Sequence, residues 1–323
     1  MIAAWCLGPG LGALCLGAVA LGLERAASTR IAGLATGLWW AALARLALPP
    51  GFGSPIGWSA SLPATAEVAP YESVALALWI GGASVVAVCA ARRLVAERRR
   101  WRRLERRAPR AGTRRVAARL AYAAGRSAPP IFVVDAAPAC VGLVGSWIAL
   151  PADLERAGRR GDLEVVLLHE LAHCRRRDGW RRLAVLAFQI VFWFHPVTWL
   201  AGRHLARAAE VAADREAARG ARHGVAGCRR ALIAEASRWC SPETGSSLAF
   251  AAPRSLLFAR LAALEQPARF PASLALVGFL AAFACIGPVV LHVRVPPIDE
   301  LEGCLQKRFA VYHALALERA SNP

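Results

Sequence analysis

Two histidines and a glutamate are the residues of this chain best suited to chemistry. His169, Glu170 and His173 form the pattern H-E-x-x-H, and on a helix residues four apart lie on one face, one turn apart. Two neutral imidazoles can bind one divalent metal ion, while the adjacent carboxylate can take a proton from an attacking water and pass it to a leaving amine. The pattern predicts a zinc peptidase site with both histidines as ligands and Glu170 as general base. The alternative is a His–Glu pair on a solvated helix surface.

A third metal ligand must come from another segment, because a catalytic zinc has three protein ligands and one open position. Glu210 follows downstream, and Asp214 lies one helical turn after it. Glu210 is therefore the predicted third ligand, and Asp214 the predicted carboxylate that orients a ligating histidine from outside. The alternative for Glu210 is a solvated residue that pairs with Arg203 or Arg207.

The composition indicates an integral membrane protein rather than a soluble enzyme. Hydrophobic residues make up 56% of the 323 residues, yet the formal net charge is +18, a combination typical of membrane proteins with basic cytoplasmic segments. A bilayer-spanning helix needs about 20 apolar residues. Four stretches reach about that length: residues 2–23, 31–48, 73–91 and 272–291.

Arginine distribution predicts the orientation of these spans. Arg25 and Arg30 lie in the first loop, none lies in residues 49–72, and a dense block covers residues 92–115. Since basic residues stay on the cytoplasmic side, the peptidase domain should be cytoplasmic and residues 49–72 external. Residues 2–23 lack a preceding basic segment, so we expect a retained helix rather than a cleaved signal peptide.

These expectations give a mainly α-helical, multi-pass protein of the cell membrane with five parts. They are three transmembrane helices (1–91), a basic juxtamembrane segment (92–115), a cytoplasmic α+β zinc peptidase domain (116–270), a fourth transmembrane helix (271–292) and a short extracytoplasmic tail (293–323). The sequence leaves the oligomeric state open, with a homodimer as one alternative.

Short strands are predicted just before the metal-binding helix. Residues 131–134, 139–144 and 147–150 are rich in β-formers and separated by glycine and serine. An edge of this sheet could pair with an extended substrate, or the sheet could simply pack under the helix. Asp162 is the predicted N-cap of a helix from Leu163 through Arg175.

Residues 183–201 are apolar enough to span a membrane but cannot cross it if the metal site exists. A crossing would place Glu210 on the opposite side from His169. We therefore expect a helical hairpin, broken at Pro196, that dips into or lies against the bilayer. The alternative has five spans and no metal site. His195, beside the break, could bind metal or donate a hydrogen bond, but a structural role in capping carbonyls is favoured.

The arginines of residues 92–115 could contact either nucleic acid or lipid. Interleaved Arg and Trp residues could bind nucleic acid, but a basic segment next to a membrane span favours contact with anionic lipid, so no direct nucleic-acid partner is expected. The nine cysteines show no C-x-x-C or paired spacing, so no disulfide framework is predicted. Cys174 follows His173 and should face away from the metal.

Three segments together resemble the BlaR/MecR-type membrane zinc metallopeptidases. They are residues 169–178, the Phe194-His195-Pro196 break and residues 210–214, and the resemblance covers about residues 1–292. It implies a gluzincin domain with Zn²⁺ bound by His169, His173 and Glu210, Glu170 as general base, and Asp214 outside the ligands. It also implies regulatory cleavage of a BlaI/MecI-like repressor or of the chain itself.

The chain departs from that family at its carboxyl end. Residues 294–323 are too few for a penicillin-binding sensor and contain no S-x-x-K motif, so direct β-lactam sensing is not expected. Two rival interpretations stay open. One is an HtpX-type quality-control peptidase, which shares H-E-x-x-H and a later E-x-x-A-D. The other is a membrane signalling scaffold without catalysis.

Overall fold

The computed structural model describes ten stretches of the chain: residues 2–27, 32–48, 59–62, 69–123, 125, 127–143, 145–155, 159–239, 254–265 and 290–293. In them the helices are α1 (Ile2–Ala27), α2 (Ala32–Ala47), α3 (Ala69–Arg103), α4 (Ala111–Ala123), α5 (Arg160–Arg176), α6 (Asp178–Val191), α7 (Pro196–Gly220), α8 (Gly224–Trp239) and α9 (Arg254–Glu265). The strands are β1 (Ser59–Leu62), β2 (Ile131–Val134), β3 (Ala139–Val141), β4 (Trp147–Pro151) and β5 (Val290–Val293). The described part of the chain is thus mostly helical, with two small sheets.

The amino-terminal helices α1 and α2 pack against each other and against the first half of α7. Leu16 of α1, Trp39 of α2 and Val197 and Leu205 of α7 belong to one buried apolar cluster. Removing such large side chains from water contributes roughly 1.5–3 kcal/mol each. The packing fixes the start of α7, the helix that carries Glu210.

Helix α3 is the element best suited to crossing a membrane. Among the described residues, Ser73–Arg103 is the one stretch long and apolar enough, and only 6% of its most apolar window is buried by protein. The predicted spans 2–23 and 31–48 coincide with α1 and α2, and the four-span arrangement stays a prediction. Most of the predicted fourth span, residues 272–289, lies outside the described residues.

Two segments can be compared with the prediction. Helix α3 contains the predicted span 73–91 and continues through the basic residues to Arg103, because arginine is a good helix former and no Gly or Pro interrupts the run. At the other end, residues 290 and 291 belong to β5, which pairs in parallel with β1, rather than to a transmembrane helix. Beyond Val293 the predicted tail also lies outside the described residues.

The predicted three-stranded sheet forms, with strand order β2-β4-β3. Strand β2 runs parallel to β4, whereas β3 runs antiparallel to it and forms an edge. Strand β3 ends at Val141, earlier than predicted, because Gly142 adopts a φ of 105° that side chains rarely allow. Leu150 of β4 and Leu167 of α5 are fully buried in a shared cluster, so the sheet packs on the metal-binding helix.

Helix α5 begins earlier than its sequence indicates. Arg159 is the N-cap and makes no side-chain capping bond, so the prediction of Asp162 as N-cap is wrong. Asp162 lies instead in the first turn, where its Oδ2 accepts a hydrogen bond from Arg159 Nε at 3.1 Å. A carboxylate there complements the positive end of the helix dipole.

The predicted hairpin is present, and its break is at Pro196. Helix α6 ends at Val191, residues 192–194 turn, and Pro196 occupies the first turn of α7, a position where its missing N–H costs nothing. Helix α7 then runs without interruption past Glu210 and Asp214 to Gly220. The hairpin therefore returns Glu210 to the side of α5.

A disulfide joins Cys140 of β3 to Cys174 of α5, with the two Cα atoms 6.1 Å apart. The prediction of no disulfide was wrong for this pair. Its cysteines are 34 residues apart in sequence and show no motif. They meet only because the sheet edge folds back over the last turns of α5. The bond fixes the edge strand beside His173.

Candidate metal centre

Helices α5 and α7 bring the three predicted ligands together. His169, His173 and Glu210 can each direct one ligand atom so that all three atoms lie within 4.8 Å of one another. The two Nε2 atoms are 3.1 Å apart. Glu210 Oε2 lies 3.6 Å from His169 Nε2, and its Oε1 lies 3.7 Å from His173 Nε2. The predicted ligand group is thus one compact cluster.

The other ring nitrogen of each histidine is held by a carboxylate. His169 Nδ1 lies 3.0 Å from Asp214 Oδ1, and His173 Nδ1 lies 2.7 Å from Asp178 Oδ2. When each Nδ1–H donates to its carboxylate, the Nε2 lone pair faces the cluster and the ring orientation is fixed. The placement of Asp214 agrees with its predicted role beside a histidine.

Asp178 is a functional candidate that the motif analysis did not assign. It lies in the first turn of α6, directly after Arg177, which adopts the left-handed conformation with a φ of 54°. This sharp junction turns the chain back so that the Asp178 side chain reaches His173. A buried acid five residues after the second histidine was the available signal, but its meaning depends on a backbone turn that spacing alone does not reveal.

Two arginines neutralise the outer carboxylates. Arg260 donates two hydrogen bonds of 2.7 Å to Asp214, and its Nη1 lies 3.4 Å from Glu210 Oε2. Arg176 Nη2 donates to Asp178 Oδ2 at 2.7 Å and to the Ala209 carbonyl at 2.6 Å. Arg260 comes from α9, far along the chain, and nothing in its local sequence marks it. Bidentate pairing of this kind gives both energy and fixed geometry.

The cluster is electrostatically prepared for a cation. Burial alone would lower the pKa of His169, but hydrogen bonds to Asp214 and Glu210 and nearby negative charge raise it to about 10. Burial opposes ionisation of Glu210 and Asp214, yet bonds and charges from His169 and Arg260 hold both pKa values below the usual range. Hydrogen bonds from His173 and Arg176 outweigh burial and lower the pKa of Asp178 to about 2. Ionised carboxylates around two imidazoles favour a positively charged occupant.

Glu170 is buried on α5 beside the first ligand, with 5% of its surface exposed. Its negative charge contributes to the raised pKa values of His169 and Arg260, which places it next to the cluster. A general base must lie within hydrogen-bond reach of the attacking water, and this role stays a prediction for Glu170.

His195 and His204 lie outside the ligand cluster. His195 is buried against α1, where a Cβ added at Gly10 would lie 3.3 Å from its Nε2, and it is outside the cluster. Its side chain hydrogen-bonds the backbone of Gly10 in α1, so His195 has a structural role there rather than at the carbonyls of the proline break. His204 stacks on Trp39 and pairs with Glu24, an interface between helices.

Part of this chain is similar to known proteins. The model of the BlaR1 peptidase M56 family matches residues 60–227, a range that contains the whole ligand cluster but not Arg260. The regulatory protein BlaR1 of Bacillus licheniformis is 31% identical over 77 residues, which is 24% of this chain and 13% of that protein. The methicillin resistance mecR1 protein of Staphylococcus aureus (strain Mu50 / ATCC 700699) is 30% identical over 78 residues, again 24% of this chain and 13% of the relative.

The matched segment is thus a small part of these relatives, about one eighth of their length. The family model, in contrast, covers more than half of this chain. The chain therefore belongs to the BlaR1 peptidase M56 family, a family of metallopeptidases related to regulatory proteins.

Proposed function

We propose that this protein is a membrane-embedded, zinc-dependent endopeptidase of the gluzincin type that acts in regulatory signalling. One observation carries the proposal: the Nε2 atoms of His169 and His173 converge with Glu210 while carboxylates hold both Nδ1 atoms. A solvated His–Glu pair would not need such support on both sides. The arrangement has the parts of a metal centre with its outer shell.

The donor set is suited to zinc. Two imidazole nitrogens and one carboxylate are the ligands of known catalytic zinc sites with an open position, whereas magnesium and calcium prefer oxygen ligands alone. His169, His173 and Glu210 would hold the ion. When bound there, zinc supplies Lewis-acid polarisation of a peptide carbonyl and makes a water more acidic.

The remaining roles, proton transfer and orientation of the ligands, belong to side chains of this protein. Glu170 accepts a proton from the attacking water and delivers it to the leaving amine. Asp214 and Asp178 hold the imidazoles in the required tautomer and orientation. Arg260 and Arg176 keep these two acids ionised and in place.

Strand β3 is suited to holding the substrate backbone. It forms the edge of its sheet, and within the described part of the chain no further strand pairs with its outer side. An extended peptide can add to such an edge through main-chain hydrogen bonds. Cys140 of this strand lies next to Cys174, with Cα atoms 6.1 Å apart, so the edge runs beside the metal-binding helix.

The turn between α6 and α7 supports a re-entrant hairpin. Trp193 Nε1 donates to the Trp79 carbonyl at 3.2 Å, and Trp79 Nε1 donates to the Val191 carbonyl at 2.8 Å. Trp79 is well inside the apolar part of α3. If α3 crosses the bilayer, the turn that contacts it lies within the bilayer too, while α5 and the rest of α7 stay on the cytoplasmic side.

The proposed substrate is a cytoplasmic repressor of the BlaI/MecI kind, or the chain itself. Support comes from the family and from the regulatory role in the relative's name.

The function is tested by metal content and self-cleavage of the purified full chain in detergent, comparing the parent with Glu170→Gln. We expect about one zinc per chain in both proteins, and cleavage only in the parent, because glutamine cannot carry the proton. The control is Glu216→Gln, which alters a carboxylate of the same type on α7 that pairs with Arg175 at 2.6 Å. Absence of zinc in metal-replete parent protein would refute the site. Equal cleavage by parent and Glu170→Gln would refute the role of Glu170.

A further inference from the structure

One face of the last four turns of α3 forms a groove that is lined by both apolar and basic side chains. The groove has a volume of about 750 Å³. Its apolar part is formed by Val88, Ala91, Val95, Ala96 and Leu104, and its basic part by Arg92, Arg99, Arg100 and Arg103. Three of these arginines, Arg92, Arg99 and Arg103, lie within a narrow stripe, since seven and four residues are close to whole helical turns. We call them the arginine stripe.

No acid of the described chain neutralises the arginine stripe. Its three side chains are exposed and make no ion pair with the described residues. Glu97, the acid within this part of α3, lies on the opposite face, because it is about half a turn from the stripe. An anion could therefore meet all three guanidinium groups without displacing a protein partner.

The opposite face of α3 is held to the sheet. Trp101 packs edge-on against Trp147, with ring centroids 5.6 Å apart, and it joins a cluster with Phe132 and Val134. Arg106 lies over the Trp147 ring at 4.6 Å. This packing fixes the rotation of α3 about its axis, so the arginine stripe faces away from the sheet.

The position of the groove along α3 indicates which class of molecule could bind in it. Ser73–Arg103 is longer than a bilayer requires, because 31 residues extend about 46 Å and the hydrocarbon core is about 30 Å thick. Val88 and Ala91 lie where the apolar run ends, and from Arg92 onward arginines alternate with apolar residues in the headgroup region. A face that combines guanidinium groups with apolar side chains at this depth matches a phospholipid, which offers both a phosphate and an acyl chain.

We propose that this groove is a binding site for one anionic phospholipid, with the phosphate held by Arg92, Arg99 and Arg103 and an acyl chain lying along Val88 and Val95. The proposal rests on the membrane placement of α3 and not on peptidase activity. It differs from general attraction to a charged membrane in assigning binding to one face of the helix.

The test is native mass spectrometry of the full chain released from detergent micelles, titrated with phosphatidylglycerol or with phosphatidylcholine. One variant replaces the arginine stripe (Arg92→Gln, Arg99→Gln, Arg103→Gln). The matched control removes three arginines of the same helix that do not line the groove (Arg93→Gln, Arg98→Gln, Arg102→Gln). Zinc content is measured in each protein, so that a folding defect or a failed metal site is recognised separately.

We expect the parent to retain one phosphatidylglycerol in preference to phosphatidylcholine. The stripe variant should bind it more weakly by about fivefold per arginine removed, while the control keeps the parent's affinity. Equal losses in both variants would overturn the proposal in favour of diffuse charge, as would no loss in either. Displacement of the lipid by inorganic phosphate alone would assign the arginines to a free anion. Tighter binding of a single-stranded oligonucleotide than of the lipid would assign them to nucleic acid.

Discussion

At the scale of residues, the candidate ligands could be predicted from the sequence, but most of the residues that hold these ligands in place could not. H-E-x-x-H and the later Glu210 predict ligands because a helix fixes which residues share a face. Asp178 reaches His173 because Arg177 before it adopts the left-handed conformation. Arg260 reaches Asp214 from α9, a helix far along the chain. Such contacts depend on tertiary structure, so spacing in the sequence could not show what these residues contact.

Because a carboxylate holds the Nδ1 atom of each candidate ligand histidine, we expect Asp214→Asn to weaken metal binding. Asparagine keeps the size of the side chain but removes the charge that holds His169 Nδ1 and pairs with Arg260. Zinc affinity, measured by competition with a chromogenic chelator, should fall about 10–100-fold.

Glu216→Gln is the control for this measurement, since Glu216 lies on the same helix and pairs with Arg175 outside the cluster. Circular dichroism of both variants checks that the helices persist. An unchanged zinc affinity in Asp214→Asn would show that Asp214 does not orient the ligand.

At the scale of elements, the three strands, the metal-binding helix and the break at Pro196 were predictable, because each follows from local chemistry. The start of α5 and the Cys140–Cys174 bond were not. Helix α5 starts without a side-chain cap, so the capping signal at Asp162 was misleading. The disulfide depends on how the sheet folds over α5, which no cysteine spacing specifies.

The contact between α3 and the α6–α7 turn gives a prediction at this scale. A Cβ added at Gly82 would lie 2.2 Å from Cε2 of Trp193, whereas one added at Gly81 meets nothing within 4 Å. Gly82→Ala should therefore separate α3 from the turn and lower the free energy of unfolding by about 1–3 kcal/mol. Thermal unfolding in detergent measures this effect.

Gly81→Ala is the matched control, because it makes the same change one residue earlier on α3. Alanine there should leave the thermal midpoint unchanged or raise it slightly, since alanine is the better helix former. Equal destabilisation by both substitutions would show that α3 does not pack on Trp193 in solution.

At the scale of the whole molecule, composition predicted a membrane protein, and α3 is its one candidate span among the described residues. The helical class follows from long apolar and basic runs. The relation of α1, α2 and α7 could not be predicted, because an apolar helix looks the same in sequence whether lipid or protein covers it. Here the apolar cluster of Leu16, Trp39 and Val197 shows protein on one side.

The proposed re-entrant hairpin predicts which side chains water can reach. Phe194 at the turn is 41% exposed and Tyr122 at the end of α4 is 86% exposed when only protein is considered. In inside-out vesicles, Phe194→Cys should resist a membrane-impermeant maleimide, while Tyr122→Cys should react, because lipid covers only the turn. Labelling is read by mass shift against the parent chain, and both variants are labelled after denaturation for comparison. Comparable labelling of the two sites in vesicles would place the hairpin outside the bilayer.

Helix α7 connects the proposed membrane hairpin with the candidate metal centre, which tolerates only small displacements of its ligands. Its first turn follows the proposed membrane hairpin, and Glu210 lies about 21 Å further along the same uninterrupted rod. A tilt of about 3° at the first turn moves the carboxylate by roughly 1 Å over that length, whereas a metal site accepts distance errors of only about 0.2 Å. If the turn lies in the bilayer as proposed, a change in local membrane thickness that tilts α7 would change the zinc occupancy of the proposed site.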